Sequence, residues 1–311
     1  MPRHLISIHD LTAAEVAGLF RLAADVKANR SKYESHMHRK TLGMIFEKSS
    51  TRTRVSFEAG MAQMGGQALF LSSRDIQLGR GEPISDTAQV LSRYIDGIMA
   101  RTFAHQTVTD LAKYGSIPVI NGLTDDLHPC QALTDYFTLM EVFGGLDALR
   151  GRKLTYVGDG NNMAHSLMLG ATKVGMDVAI ASPKGYEVKE HYADLARQDA
   201  QGAGTKVILT HDPVEAVKDA SAVYTDVWAS MGQESEQQER VKAFKGFTVD
   251  SALMSHARKE AVFLHCLPAH RGEEVSAEVC DGLQSRIFDE AENRLHVQKA
   301  IMLWLMAGVV I

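Results

Sequence analysis

The 311-residue sequence is poor in cysteine, with only Cys130, Cys266 and Cys280. An odd number of widely spaced cysteines without a C-x-x-C pair excludes a dense disulfide framework and indicates no structural zinc site. Because this usage is typical of a reducing compartment, we expect a cytoplasmic protein.

An excess of positive charge is also absent. The chain has 33 basic and 38 acidic side chains, which gives a formal net charge of −5 with neutral histidines. We therefore expect no broad nucleic acid-binding surface, whereas a local basic pocket for a small anion is compatible with this balance.

Long apolar runs are lacking too. Residues 1–32 mix charged and apolar side chains in an amphipathic pattern, so they lack the apolar stretch of a secretory signal. The apolar run 300–311 is far shorter than the ~20 residues that a membrane span requires. It predicts a buried terminal helix and no membrane partner.

What the sequence does contain is a regular alternation of short apolar, β-branched runs with segments of helical period. This pattern predicts an α/β fold of parallel sheets covered by helices. We predict two doubly wound parallel-sheet domains, residues 1–144 and 145–311, joined by a long helix over 129–143 and with a ligand cleft between them. The predicted strands are 42–46, 68–71, 98–100 and 117–120 in the first domain, and 154–157, 178–181, 207–209, 222–224, 262–264 and 286–288 in the second.

A hydroxyl-rich segment, Ser50-Thr51-Arg52-Thr53, follows the first predicted strand and opens a helix. Free backbone N–H groups, the positive end of the helix dipole, three hydroxyls and a guanidinium together suit a phosphate. The competing interpretation is that Ser50 or Thr51 only caps the helix, which is a common role for these residues.

Three further polar residues lie where strands end or helices begin. Arg101 comes directly after the strand 98–100, at the edge of a parallel sheet that faces the ligand crevice. Pro129 suits the first turn of a helix, which leaves His128 and Gln131 at the helix start. Each residue alone is more often structural, but together they supply donors for both a phosphate and a carbonyl oxygen.

The second half offers groups suited to an amino acid. Gly158-Asp-Gly160 follows a strand like a dinucleotide fingerprint, but Met163 stands where the third glycine belongs. Asn162 offers an amide at a helix start instead. Asp226 can hold an ammonium and Ser230 a carboxylate, although this stretch taken alone slightly favours a helix-capping Asp followed by a flexible turn.

In these motifs the sequence resembles the carbamoyltransferase family over nearly its whole length. Ser50-Thr51-Arg52-Thr53, Arg101-Thr102 and His128-Pro129-Cys130-Gln131 look like the carbamoyl phosphate signature of that family. The resemblance implies that Ser50 to Thr53 and Arg101 grip the phosphate, that His128, Arg101 and Thr53 polarise the carbonyl, and that Gln131 binds the carbamoyl amide. The carbamoyl phosphate-binding set that it implies is Ser50, Thr51, Arg52, Thr53, Gln77, Arg101, His128, Pro129, Cys130, Gln131, Cys266, Leu267 and Arg294.

The later motifs resemble the ornithine-using branch of that family. The resemblance implies that Asn162, Asp226, Ser230 and Met231 bind the amino and carboxylate groups of ornithine. It also implies catalytic roles for Arg101, His128, Cys266 and Arg294, a Cys266–Leu267 segment that orients the side-chain amine, and no cofactor or metal. Gln77 would reach a neighbouring subunit, which implies a homotrimer, and the last helix, about 291–311, would return to the first domain. Arginine biosynthesis is the expected setting.

Several alternatives remain at this point. The acceptor could be putrescine or an acylated ornithine, and the Gly158 motif could belong to a nicotinamide-dependent dehydrogenase. A non-catalytic binding module is a third interpretation. For an ornithine acceptor, an alkylamine pKa of ~10.4 leaves about one amine in a thousand neutral near pH 7, a handicap of ~4 kcal/mol. The released proton would pass to phosphate or to Cys266.

Overall fold

The computed structural model describes residues 2–76, 81–229 and 236–311. The chain forms two compact units, of which unit 1 is Met1–Leu133 with Glu292–Ile311 and unit 2 is Thr134–Ala291. The C-terminal segment therefore belongs to the first unit, which confirms the predicted return of the last helix. The boundary that the sequence places between residues 144 and 145 stays a prediction.

Unit 1 is built on a parallel sheet of four strands. Their order in the sheet is β2-β1-β3-β4, so the strand order reverses between β1 and β3. The strands are β1 Thr41–Phe46, β2 Gln67–Ser72, β3 Gly97–Arg101 and β4 Val119–Leu123, and the helices that begin in this part of the chain are α1 Ala13–Ala28, α2 Thr51–Gln63, α3 Ile84–Leu91, α4 His105–Tyr114 and α5 Pro129–Phe143.

The apolar strands of unit 1 explain its core. Every residue of β3 and β4 is buried, as is all of β1 after Thr41. Parallel strands covered on both faces give such continuous apolar runs. Ile45 and Ile98 of these strands pack with Val108 and Leu111 of α4. The edge strand β2 is more exposed than the other three strands.

Unit 2 is a second parallel sheet with the order β7-β6-β5-β8-β9, reversing between β5 and β8. The predicted architecture of two doubly wound sheets is thus confirmed. The strands are β5 Lys153–Val157, β6 Asp177–Ala181, β7 Val207–Thr210, β8 Ala222–Tyr224 and β9 Val262–Leu264, and the helices that begin in this part of the chain are α6 Asn162–Lys173, α7 Glu190–Ala203, α8 Pro213–Val217, α9 Gln237–Ala243, α10 Ser251–Met254, α11 Ala277–Cys280 and α12 Ile287–Ala307, most of which lies in unit 1.

One predicted strand, 286–288, is wrong. Ile287 begins α12, and only the preceding Ser285 forms an isolated bridge to Phe263. Short apolar runs are ambiguous between strand and helix. Here Asp289 and Glu290 lie in the first helical turn, where negative charge favours the helix N-terminus.

The last part of α12 packs closely on α2 within unit 1. Four consecutive residues, Ala300 to Leu303, are buried, so all sides of the helix are covered. A Cβ at Gly60 would lie 3.0 Å from Met302 Cε and 3.3 Å from Lys299 Cγ, and the glycine therefore permits this close approach. Within the described ranges, no helix has both the length and the apolar content needed to cross a membrane.

Candidate active site

Two predicted parts of the unit 1 site, Ser50 to Thr53 and Arg101, lie at the carboxyl ends of β1 and β3, the two strands at the strand-order reversal. Ligands of open parallel sheets bind in the crevice at such a reversal. The backbone ties the two strand ends together, because the Glu47 N–H donates to the Arg101 carbonyl at 2.9 Å. The loop before α2 and Arg101, the last residue of β3, are therefore held at one edge of the sheet.

The hydroxyl segment forms a helix start, as its composition predicts. Ser50 is extended (φ −163°, ψ 114°) and caps α2, because its Oγ accepts the Thr53 N–H at 3.2 Å. The Ser50 hydroxyl also donates to Thr53 Oγ1 at 3.0 Å. Thr51, the first helical residue, is exposed, and Arg52 is half-buried. A capped helix N-terminus with further hydroxyls favours an anion.

Arginine side chains surround a buried histidine beside this helix start. Arg101, His128 and Arg294 are each at most 5% exposed. Burial, and next the positive charges of Arg101, Arg294 and Arg52, hold the pKa of His128 well below its usual value. His128 is therefore neutral near pH 7, and its imidazole can donate a hydrogen bond without bringing another charge.

Arg294 reaches this cluster from α12. Its Nη2 donates to Thr53 Oγ1 at 2.7 Å, although the two residues are 241 positions apart in the sequence. Gly60 permits the close packing of α12 on α2. Unit 1 therefore places four predicted residues, Arg101, His128, Arg294 and Thr53, in one polar neighbourhood.

The remaining predicted residues of this motif lie at the start of α5. Pro129 is the first helical residue, and Gln131 is buried. Burial raises the pKa of Cys130 to about 12, and its Sγ donates to the Asn121 carbonyl at 3.4 Å. Cys130 is thus an unreactive thiol that ties α5 to β4.

Sequence reasoning missed the side chains that support this edge of the sheet. Glu47 accepts the Phe103 N–H at 2.8 Å, and the buried Lys48 pairs with Asp125 and lies 4.7 Å from the centre of the Phe103 ring. Glu47 and Lys48 directly precede the hydroxyl segment, which was an available signal. Asp125 is 77 positions from Lys48, and no sequence pattern indicates that the two side chains pair.

In unit 2, Asn162 and Asp226 follow the two strands at the reversal, β5 and β8, whereas Cys266 follows the neighbouring strand β9. Asn161 caps α6 by accepting the N–H groups of Met163 and Ala164 at 2.9 and 3.3 Å. Its Nδ2 donates to Asp226 Oδ2 at 3.1 Å. Asn162, the predicted ligand, is the first residue of α6 and is partly exposed.

Asp226 and Cys266 are in direct contact. The Cys266 Sγ donates to Asp226 Oδ1 at 3.1 Å, and the same oxygen accepts the Val227 N–H at 2.8 Å. Burial, and next the charge of Asp226, raises the pKa of Cys266 well above its ordinary value. The sulfur therefore remains a protonated donor near neutral pH, and it cannot serve as a ready proton acceptor.

A buried histidine fixes the turn that follows Cys266. Leu267 has a left-handed backbone (φ 61°), and its N–H donates to His265 Nδ1 at 2.9 Å. Since Nδ1 must accept that bond, the His265 proton sits on Nε2, which donates to Glu274 Oε1 at 3.1 Å. Glu290 also accepts the His265 N–H at 3.0 Å. Glu274 and Glu290 are 9 and 25 positions from His265, so the sequence spacing does not indicate either contact.

Three predicted residues, Gln77, Ser230 and Met231, lie outside the described residues. Among the residues that are described, two groups bring three metal-ligand atoms within 4.8 Å of one another. In the first group, Asp226, His265 and Cys266, both ring nitrogens of the histidine are engaged by other groups. The second consists of His270, Glu273 and Glu274.

The glycine motif after β5 has a packing role. A Cβ at Gly160 would lie 2.2 Å from the carbonyl carbon of Glu187 and 2.3 Å from the Val188 nitrogen. The Gly160 N–H donates to the Tyr186 carbonyl at 2.8 Å. This glycine thus permits close approach of the chain's own backbone, where a dinucleotide fingerprint would use it for a pyrophosphate.

Two family models match the chain. Residues 3–141 match "Aspartate/ornithine carbamoyltransferase, carbamoyl-P binding domain", and residues 150–305 match "Aspartate/ornithine carbamoyltransferase, Asp/Orn binding domain". Each of the two sequence halves therefore has its own counterpart among known domains.

Known relatives and solved structures are similar over nearly their full length. The chain is 57% identical over 300 residues to the ornithine carbamoyltransferase of Bacillus subtilis, covering 96% of this chain and 92% of the relative. A solved ornithine carbamoyltransferase from Pyrococcus furiosus superposes with a TM-score of 0.94 at 52% identity, covering 99% of this chain and 98% of that one. The anabolic ornithine carbamoyltransferase of Campylobacter jejuni gives a TM-score of 0.91 at 41% identity, covering 97% and 98%.

Proposed function

Because the chain belongs to the aspartate/ornithine carbamoyltransferase family, we propose that it transfers the carbamoyl group of carbamoyl phosphate to the side-chain amine of L-ornithine, giving L-citrulline and phosphate. The observation that carries the proposal is the buried cluster of His128, Arg101 and Arg294 beside the capped start of α2. The names of the similar proteins support ornithine as the acceptor.

The phosphate of carbamoyl phosphate binds at the start of α2 in this proposal. Backbone N–H groups and the hydroxyls of Ser50, Thr51 and Thr53 donate to it, and Arg52 and Arg101 neutralise its charge. The helix end and guanidiniums are positioned before the substrate arrives, so binding requires little reorganisation.

The carbamoyl carbonyl lies against His128, Arg101 and Arg294. Attack by the amine places negative charge on the carbonyl oxygen, and prearranged donors stabilise that charge without moving. Neutral His128 contributes a hydrogen bond, while the two guanidiniums contribute charge. Gln131 accepts a hydrogen bond from the carbamoyl NH₂ group. Pro129 and Cys130 fix the start of α5, which carries Gln131 and directly follows His128.

Ornithine binds to the residues of unit 2. Asp226 and Asn162, with Ser230 and the Met231 backbone, hold its α-amino and α-carboxylate groups. Cys266 and the Leu267 carbonyl orient the side-chain amine. Because the Cys266 thiol is protonated, the phosphate leaving group is the better acceptor for the proton that the amine releases.

We also propose that the active protein is a homotrimer, with Gln77 reaching a neighbouring subunit. Val55, Leu69 and Phe70 are apolar residues of α2 and β2 that are 39–54% exposed, and a subunit interface would cover them. Cytoplasmic residence and domain limits of 1–144 and 145–311 complete the proposal. A role in arginine biosynthesis is supported by the anabolic enzymes among the similar proteins.

A colorimetric citrulline assay on the purified protein tests the function directly. We expect citrulline with carbamoyl phosphate and L-ornithine, and much slower ureido-product formation with putrescine or N-acetylornithine. A matched pair of variants tests which residues bind which substrate. Arg101→Gln should raise the KM for carbamoyl phosphate, and Asp226→Asn should raise the KM for ornithine. The absence of citrulline, or a preference for another amine, would reject the proposal, and NAD binding would favour the dehydrogenase alternative.

A further inference from the structure

Arg240 of α9 joins two segments that carry the proposed ornithine-binding residues. Its Nη1 donates to Asp159 Oδ2 at 2.9 Å and also to the Trp228 carbonyl at 2.9 Å. Asp159 belongs to the turn between β5 and α6, and Trp228 follows β8. One nitrogen atom thus connects both sides of the strand-order reversal in unit 2.

The side chain of Arg240 is itself firmly held. It is 7% exposed, its Nε donates to Glu236 at 3.0 Å, and its guanidinium lies 5.0 Å from the centre of the Tyr186 ring. The Asp159 side chain is 11% exposed. A buried, hydrogen-bonded ion pair of this kind is costly to break from one side, because the remaining charge is left without its partner.

A short path leads from these contacts to the substrate-binding groups. The Asn161 N–H donates to the Asp159 carbonyl at 2.7 Å, and the Asn161 side chain donates to Asp226 at 3.1 Å. Asp226 stands two residues before Trp228 and accepts the Cys266 thiol. Movement of either segment would therefore displace Asp226 relative to Asn162.

We propose that Arg240, with Asp159 and the Trp228 carbonyl, is a positioning group for the ornithine site. These three form the Arg240 clamp, which sets the distance between Asn162 and Asp226 without touching either substrate. The inference rests on the proposed function and deepens it, since it names the residue on which ornithine affinity depends.

Steady-state kinetics with each substrate varied separately tests the clamp. Arg240→Gln should raise the KM for ornithine about 10- to 100-fold, as small misplacements of binding groups do, while the KM for carbamoyl phosphate stays within about twofold. Arg240→Lys keeps the charge but can replace fewer of the contacts, and should recover only part of the loss. Arg197→Gln is the control, because Arg197 forms an exposed ion pair with Asp194 in the same unit.

A double variant separates positioning from a general structural effect. If the clamp acts as a unit, Asp159→Asn added to Arg240→Gln should raise the ornithine KM little further. Equal increases in the two KM values, or an ornithine KM within twofold of the unmodified protein, would overturn the proposal. So would fully additive effects of the two substitutions.

Tryptophan fluorescence keeps this test independent of turnover. The chain has two tryptophans, so Trp304→Phe leaves Trp228 as the single reporter. In that background Arg240→Gln should shift the Trp228 emission, and Arg197→Gln should not. A protein that makes no citrulline would refute the proposed function, whereas unchanged Trp228 emission would refute the clamp.

Discussion

At the scale of single residues, the candidate site separates groups that stay neutral from groups that stay charged. His128 is buried among guanidiniums and remains neutral, while Cys266 is half-buried against a carboxylate and remains a thiol. Both shifts arise chiefly from desolvation, which disfavours the charged form of each group. The chemistry proposed here uses both residues as hydrogen-bond donors.

The Cys266 assignment leads to a first prediction. Serine preserves a small donor toward Asp226, so Cys266→Ser should retain kcat within about tenfold, whereas Cys266→Ala should mainly raise the KM for ornithine. Citrulline formation with ornithine varied measures both values. Near-complete loss of kcat in the serine variant would show instead that the sulfur must ionise.

Many of these residues could be predicted from the sequence because the motifs that carry them are contiguous. Ser50 to Thr53 and the segment that starts at His128 each lie at a helix start, as their local composition predicts, whereas the roles proposed for them rest on the family resemblance. The supporting contacts could not be predicted in the same way. Asp159 and Arg240 are 81 positions apart, and their pairing depends on how β5 and α9 come together.

At the scale of secondary-structure elements, the contact between α2 and α12 has a direct bearing on the site. Gly60 permits this contact, and it brings Arg294 to Thr53. The sequence predicts both helices, but it does not show that a glycine in the C-terminal half of α2 faces the other helix. The contact at Gly60 depends on tertiary packing. The same holds for the start of α12 at Ile287, where the sequence predicts a strand over 286–288.

Gly60 can be tested against a glycine in open space. Gly60→Val should destabilise the protein by about 1–3 kcal/mol through overpacking against Met302, and should also lower activity. Gly202, in α7, has nothing within 4 Å of its would-be Cβ, and Gly202→Val should be neutral or slightly stabilising. Chemical denaturation measures both, and equal effects of the two substitutions would contradict the packing role.

At the scale of the whole molecule, the exposed apolar residues of unit 1 bear on assembly. Phe70→Lys places a charge at the proposed subunit interface, and we expect the trimer to dissociate into smaller species in analytical ultracentrifugation. Leu283→Lys is the control, since Leu283 is a 96% exposed apolar residue of unit 2. A trimer that persists in the Phe70 variant would place the interface elsewhere.

The pH profile of the whole enzyme should reflect its substrate. The lowered pKa of His128 keeps it neutral as the pH falls to 6, and the raised pKa of Cys266 prevents thiolate formation toward pH 9. Burial raises the pKa of Asp159 to about 6, so this carboxylate of the Arg240 clamp is ionised above pH 7. From there to pH 9 the side-chain amine of ornithine, with a pKa of ~10.4, is the main group that titrates. kcat/KM for ornithine should therefore rise about tenfold per pH unit, and a fall between pH 6 and 9 would contradict this account.

The assignment of Glu292–Ile311 to unit 1 has a consequence for biosynthesis of the protein. A ribosome makes this segment only after all of Thr134–Ala291, so the earlier part of unit 1 emerges long before Arg294 does. During translation the nascent chain can form most of the first sheet while its guanidinium cluster is still incomplete. With the proposed role of Arg294, we expect competence to bind the acyl phosphate to be delayed until after the second unit has been synthesised.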